Sequence, residues 1–215
     1  MLRSVLGFLG VVMYFYATKY MIAADATILH RSSPFFVTLF SVIFLKEKLS
    51  KVQITALFTA FVGALCVIRP QLNSSIVPSI VGFVSAMAAG GAYTVIGYLK
   101  NKENSMVIVF HFSLISCLMC IPFMMFNFVF PSVYDAFLLL LIGIFAGLGQ
   151  IFLTISYKNA PASEVSIYNF SGIIFACILG YVCFGELIDI MSLVGMTIII
   201  ISATILYITK KNVIN

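Results

Sequence analysis

Charge is what this 215-residue sequence has least of. Lys, Arg, Asp and Glu together make up 9% of it, against about 25% in an ordinary soluble domain. Carboxylates number seven, and none lies deep in an apolar run. Asp25, Glu47, Asp135, Glu164, Glu186 and Asp189 fall at the ends of runs, and Glu103 lies between two of them, so no carboxylate is placed as a buried proton or sodium site. Enzyme signatures are missing as well. There is no G-x-x-x-x-G-K-[ST] phosphate loop, no H-E-x-x-H and no G-x-S-x-G, which argues against direct ATP use and leaves no hydrolase constellation. Connections between apolar runs are a handful of residues long, too short for a soluble catalytic or nucleic-acid-binding domain. The net charge of +5 is therefore read by position and not as a basic patch.

What the sequence has is apolar surface: 62% of residues are hydrophobic and mean hydropathy is +1.16. Long apolar runs separated by short polar knots such as "LKEKLSK", "YLKNKENS" and "YKNAPASE" mark a polytopic helical membrane protein, because a spanning helix takes roughly 20 mainly apolar residues. Eight spans are expected, at 4–20, 26–45, 52–69, 77–99, 106–129, 135–157, 163–184 and 190–208. The opening "MLRSVLGFLGVVMYFYA" has the look of a signal peptide, but the repeat described below makes it a span. Cys117 and Cys120 form a C-x-x-C inside "SCLMCIPF". With no polar support for a thiolate, these are packing residues, and no metal or other cofactor is expected.

An even number of spans puts both termini on one side. With the amino terminus cytoplasmic, Arg3, Lys46, Lys48, Lys51, Lys100, Lys102, Lys158, Lys210 and Lys211 lie inside, and only Lys19, Arg31 and Arg69 lie outside, as the positive-inside rule requires.

Shifted by 139 positions, residues 10–71 register on 149–210 without a gap. Lys19 falls on Lys158, Ser32 on Ser171 and Glu47 on Glu186; Asp25 meets Glu164, and His30 meets Asn169. The first copy covers three spans. The second has the corresponding three, preceded by the spans at 77–99 and 106–129. The simplest expectation is an all-α membrane protein with eight predicted transmembrane helices from an inverted five-plus-five helix repeat: residues 1–71 are a partial first repeat (its last three helices) and 77–211 a complete second. Five crossings being odd, the second copy enters the membrane upside down, as in secondary transporters. The first two helices of the parent are absent from this sequence: either the gene is a fragment or internal start, or another polypeptide supplies them, and the partners expected are a second copy in a homodimer or a protein supplying the missing helices.

"MYFYATKYMIAADATILHRSSPFFVTLFSVIFLKEKLS" and "LTISYKNAPASEVSIYNFSGIIFACILGYVCFGELI" both resemble the EamA module of the drug/metabolite transporter superfamily. In that family a small-residue "A-x-x-x-x-P-A" connection leads into a span with a mid-membrane proline or glycine that closes on a "G/K-E". Pro161, Ala162 and Glu186 fit the second copy, and Ala23, Pro34 and Glu47 the first, where Ile22 replaces the usual proline. The resemblance implies a transporter of small metabolites in a plasma membrane, specifically a bacterial inner membrane, and export of a compound such as an amino acid or a drug-like molecule by alternating access. The alternative is a non-transporting membrane scaffold or a truncated remnant.

At 100° per residue Thr27, His30, Arg31, Pro34, Thr38 and Ser41 form a stripe on the second span. Polar groups in lipid face a bundle interior or a wet cavity, so the stripe points inward. The equivalent span offers Tyr168 and Asn169, and a ligand between the two would meet His30 and Arg31 from one end and Tyr168 and Asn169 from the other. Tyr14 and Tyr16 on the first span, Tyr93 on the fourth, and Gln150 and Ser156 on the sixth are further inward candidates. Tyr14, Tyr93 and Gln150 are the deeper of these; each lines the cavity or ties two helices. Arg31 has two readings, a snorkelling side chain or a substrate contact. His30 likewise either bonds a neighbouring helix or is the group that titrates near neutrality. His111 is read as packing. Small residues at fourfold spacing, Gly82/Ala86/Gly90, Gly143/Gly147 and Gly172/Ala176/Gly180, mark faces for close helix approach.

Overall fold

Backbone amides in lipid have no water to bond, so each apolar run satisfies them by coiling. In the computed structural model, which describes residues 1–71, 75–127, 130–185, 187 and 189–214, the helices in chain order are α1 (Leu2–Tyr20), α2 (Ala23–His30), α3 (Ser33–Leu45), α4 (Lys51–Ile68) and α5 (Ile76–Tyr98). They continue as α6 (Ser105–Asn127), α7 (Val133–Asn159), α8 (Ala162–Tyr168), α9 (Ser171–Phe184) and α10 (Ile190–Ile214). Glu186, one of the paired acidic residues of the repeat, lies outside the described residues. No strand occurs among those described.

Because α2–α3 and α8–α9 are each one rod broken in its middle, the described residues form eight rods, close to the eight expected spans. Seven are long and apolar enough to cross a membrane. The other, α1, runs 19 residues, about 28 Å at 1.5 Å per residue, but Arg3, Lys19 and its tyrosines dilute its apolarity.

The two breaks share their chemistry. Pro34 sits in the first turn of α3, where a missing N–H costs nothing; in an unbroken helix its ring would clash with the His30 carbonyl. The α8–α9 break has no proline. At both, a serine hydroxyl bonds back three residues: Ser32 Oγ donates to the Leu29 carbonyl at 2.5 Å, and Ser171 Oγ to that of Tyr168 at 2.7 Å. Such bonds compete with the helical ladder, and the backbone tightens into i→i−3 bonds, Ser32 N to Leu29 O at 3.1 Å and Phe170 N to Ile167 O at 3.2 Å.

The 139-residue spacing recurs in the backbone. Met21 and Ala160 are both extended (φ/ψ −141/169 and −137/164). Ile22 (−59/130) takes the conformation of Pro161 (−55/137), so the isoleucine that departs from the family pattern still makes the same turn. Lys46 ends α3 left-handed at φ 56 and Gly185 ends α9 at φ 68, glycine being the residue that adopts this without strain.

α5 packs against α1, α2 and α3 through its small residues. A Cβ on Gly90 would lie 2.5 Å from the Cβ of Phe36, and one on Gly10 of α1 would lie 3.3 Å from the Ser85 carbonyl oxygen. α4 packs on α10 at a glycine pair: a Cβ on Gly63 would come within 2.7 Å of the Gly195 carbonyl oxygen, and one on Gly195 within 2.6 Å of that of Gly63. Seven residues along, Ser202 Oγ donates to the Ala56 carbonyl at 2.6 Å. Gly143 and Gly147, expected to form a packing face, have nothing within 4 Å. Two apolar cores result, one around Ile28, Leu57, Ala60, Phe170 and Ile199, the other around Val37, Ile96, Tyr157, Ala162 and Val165. The two broken rods run between them.

A cavity at the junction of two broken helices

The breaks face each other across a cavity of about 150 Å³. The first contributes His30, Arg31, Ser33 and Pro34, and the second Asn169 and Phe170; Tyr93 of α5 and Leu153 of α7 close the sides. Arg31 spans the gap, its Nη1 donating to the Asn169 carbonyl at 2.9 Å. This is possible because Gly172 carries no side chain: a Cβ there would lie 3.4 Å from Nη1 and 3.5 Å from Nη2. Arg31 therefore reaches across the bundle interior rather than out to the membrane surface.

His30 Nδ1 lies 3.0 Å from Ser85 Oγ. Since the Ser85 hydroxyl gives its only proton to the Gly82 carbonyl at 2.6 Å, it must accept from His30. That fixes Nδ1–H as the donor and leaves Nε2 as the basic nitrogen. His30 is thus a helix–helix hydrogen bond and a cavity wall at once. Behind it stands Tyr14, with ring centroids 4.7 Å apart and its hydroxyl 3.2 Å from Thr27 Oγ1.

Tyr93 stacks on Tyr157 at 5.2 Å with planes 11° apart. The fully buried Tyr157 accepts from Asn169 Nδ2 at 3.1 Å. One asparagine therefore ties the second break to α7 with its amide and to Arg31 with its backbone.

The structure brings His30, Arg31, Tyr93 and Asn169 together around the cavity. Tyr14 stands one layer back. Gln150 instead accepts from Arg3 Nη2 at 3.0 Å. Tyr168 packs against the first apolar core, and Thr38 Oγ1 is buried in α3 with no hydrogen-bond partner. Tyr16 is exposed. Ser156 turns back to the Phe152 carbonyl at 2.9 Å. His111 is exposed, 2.9 Å from its own Val107 carbonyl.

Arg3 departs most from the sequence reading, which places it in a cytoplasmic segment. It is 5% exposed, with its guanidinium 4.1 Å from the centroid of the Phe112 ring. Ser85 and Tyr157 are also missed, a serine in a stripe of small residues and a tyrosine one residue from Lys158, where an interfacial belt is expected.

Beyond the second apolar core, Glu47 bridges the end of α3 to the start of α8. Its Oε1 accepts from Ala162 N at 2.7 Å, and its Oε2 from Ser163 N at 3.1 Å and Ser163 Oγ at 2.6 Å. The end of α3 thereby satisfies the amino-terminal amides of α8. At the far end of α4, Arg69 pairs with Asp189, which precedes α10. The Asp189 carboxyl is held down from its ordinary 3.8 to about 2, first by the Ser192 hydroxyl and then by Arg69. Nearby, Asp25 Oδ1 accepts from Gln71 N at 2.6 Å. No group of three or more His, Cys, Asp or Glu among the described residues could hold a metal ion.

The EamA-like transporter family matches this chain over residues 1–69 and 77–208. The chain belongs to that family. The pseudopaline exporter of Pseudomonas aeruginosa is 37% identical over 98% of this chain and 75% of its own length. The riboflavin transporter of Brucella anthropi is 27% identical over 93% of this chain and 72% of its own length. The S-adenosylmethionine uptake transporter of Rickettsia conorii is 23% identical over 100% and 73%. A solved structure at 15% identity superposes with a TM-score of 0.79 over 95% of this chain and 74% of the other, so the fold is shared. As an EamA-like protein, the chain is a multi-pass integral membrane transporter for a small molecule, and not an enzyme.

Proposed function

We propose that the chain is a secondary transporter that exports a small metabolite by alternating access around the cavity where its two broken helices meet. The observation that carries this is the bond from Arg31 to the Asn169 carbonyl. It joins two interrupted helices at membrane depth, where backbone freed from its ladder is tolerated only if it lines a cavity or is covered by protein. Secondary transporters place their substrate at such a junction, between repeats that rock against each other. The export direction is carried over from the pseudopaline exporter it resembles.

In this reading residues 1–71 are the last three helices of one repeat and 77–211 a complete, inverted second. Two contacts of α4 with α10 support it. Ala56 faces Ser202 and Gly63 faces Gly195; adding 139 to 56 and 63 gives 195 and 202, so the contacts interchange under the repeat. The paired helices run antiparallel, as a two-fold axis in the membrane plane requires. With both termini cytoplasmic in a plasma membrane, the Glu47 seal is the cytoplasmic gate and lies closed. Opening it separates α3 from α8.

The test is the medium of cells expressing the full chain, profiled without a chosen target. Expression is expected to raise one or a few extracellular metabolites above vector controls, and Arg31→Gln to abolish the rise at equal membrane abundance. Identical profiles for chain and vector would overturn the transport reading.

A further inference from the structure

We infer that the transported molecule carries a carboxylate and that Arg31 receives it. This rests on the transport reading above and adds the chemistry of the cargo. An arginine is charged at every physiological pH and offers five N–H donors. Arg31 uses one of them, at Nη1, on a neutral carbonyl, while Nη2 makes no hydrogen bond among the described residues. None of the residues lining the cavity is acidic. Among the described residues, no carboxylate lies within ion-pair distance of Arg31 or of the buried Arg3. A charge within the membrane is costly unless it is paired; here the site has kept the cation and left its partner to be supplied.

The geometry favours a carboxylate over a phosphate. Arg31 is the single charged side chain in the lining, matched to the single charge of one carboxylate group, which can sit bidentate on a guanidinium edge. The volume, about 150 Å³, is room for about five waters at roughly 30 Å³ each. That suits the acid end of a larger metabolite with its neighbouring carbons. Gly172 sets the guanidinium's position, which makes it a positioning residue for the same contact.

The experiment is titration of the purified full chain in lipid nanodiscs with glutarate, its neutral isostere glutaramide, and inorganic phosphate. Glutarate is expected to bind at least tenfold tighter than either of the others. Arg31→Gln should erase that preference, Arg31→Lys should keep part of it, and Gly172→Leu should weaken glutarate while preserving the charge. Ligand-free melting of each variant separates lost binding from lost folding, with Arg31→Lys as the folded reference. The inference is overturned if glutarate shows no advantage over glutaramide, if the advantage survives Arg31→Gln, or if phosphate binds tighter than glutarate. The export profile separates the two readings. Exported compounds that all lack a carboxylate would sink the carboxylate and leave transport standing, whereas a profile equal to vector would sink transport itself.

Discussion

Replacing Glu47 with alanine should loosen the seal between α3 and α8. The carboxylate accepts three bonds, from Ala162 N at 2.7 Å, Ser163 N at 3.1 Å and Ser163 Oγ at 2.6 Å. A hydrogen bond to a charged group contributes about 1.5–3 kcal/mol, and an amino-terminal cap about 1 kcal/mol. These do not add, and Glu47 is only half-buried, so water replaces part of what is lost. A net loss of about 2 kcal/mol shifts the open population about 30-fold at 1.4 kcal/mol per tenfold. Ala162 reports it, being 1% exposed. With Cys66, Cys117, Cys120, Cys177 and Cys183, all free, replaced, Ala162→Cys should react with a membrane-impermeant maleimide in inside-out vesicles about 30-fold faster in the Glu47→Ala background. Glu47→Gln, whose amide retains one acceptor, should fall between. An unchanged labelling rate would refute the argument that Glu47 holds this end closed.

The Arg69–Asp189 link gives a pH signature. Because folding depresses the Asp189 carboxyl from 3.8 to about 2, its contribution is complete above about pH 5 and is lost as pH falls through about 2; thermal melts of wild type and Asp189→Asn should differ above pH 5 and converge as pH falls to about 2. Gly63→Ala should lower stability by about 1–3 kcal/mol through overpacking, since its Cβ would meet the Gly195 carbonyl oxygen at 2.7 Å. Gly149→Ala, with nothing within 4 Å, should leave the melting temperature unchanged or raise it slightly through helix propensity, worth about 1 kcal/mol.

The rods are legible because lipid makes one demand of every apolar run, whereas the repeat is a proposal that starts from residue spacing alone. Ser32 over Ser171 is the pair that turns out to matter most, since both hydroxyls act at the breaks. Proline marks only the first break, so the second is silent in composition. His30 and Arg31 can be found on the polar stripe of their span, Asn169 as the counterpart of His30 in the 139-residue shift, and Tyr93 as a polar group too deep for an interface. Arg3 cannot: at the third position it reads as a membrane-surface anchor, and only the fold shows that Gln150 and Phe112 come to meet it. Glu47 is visible as a motif residue, but the sequence offers no hint that its carboxylate caps a helix more than a hundred residues away. The Gly63–Gly195 contact belongs to no fourfold stripe and follows from how two helices cross.

The central claim is that α3 and α8 must part for transport. A disulfide between Glu47→Cys and Ser163→Cys, in the background without native cysteines, tests it most directly. Export measured before and after oxidation should stop with the crosslink and return on reduction. Export continuing at the uncrosslinked rate in fully oxidised protein would contradict the account.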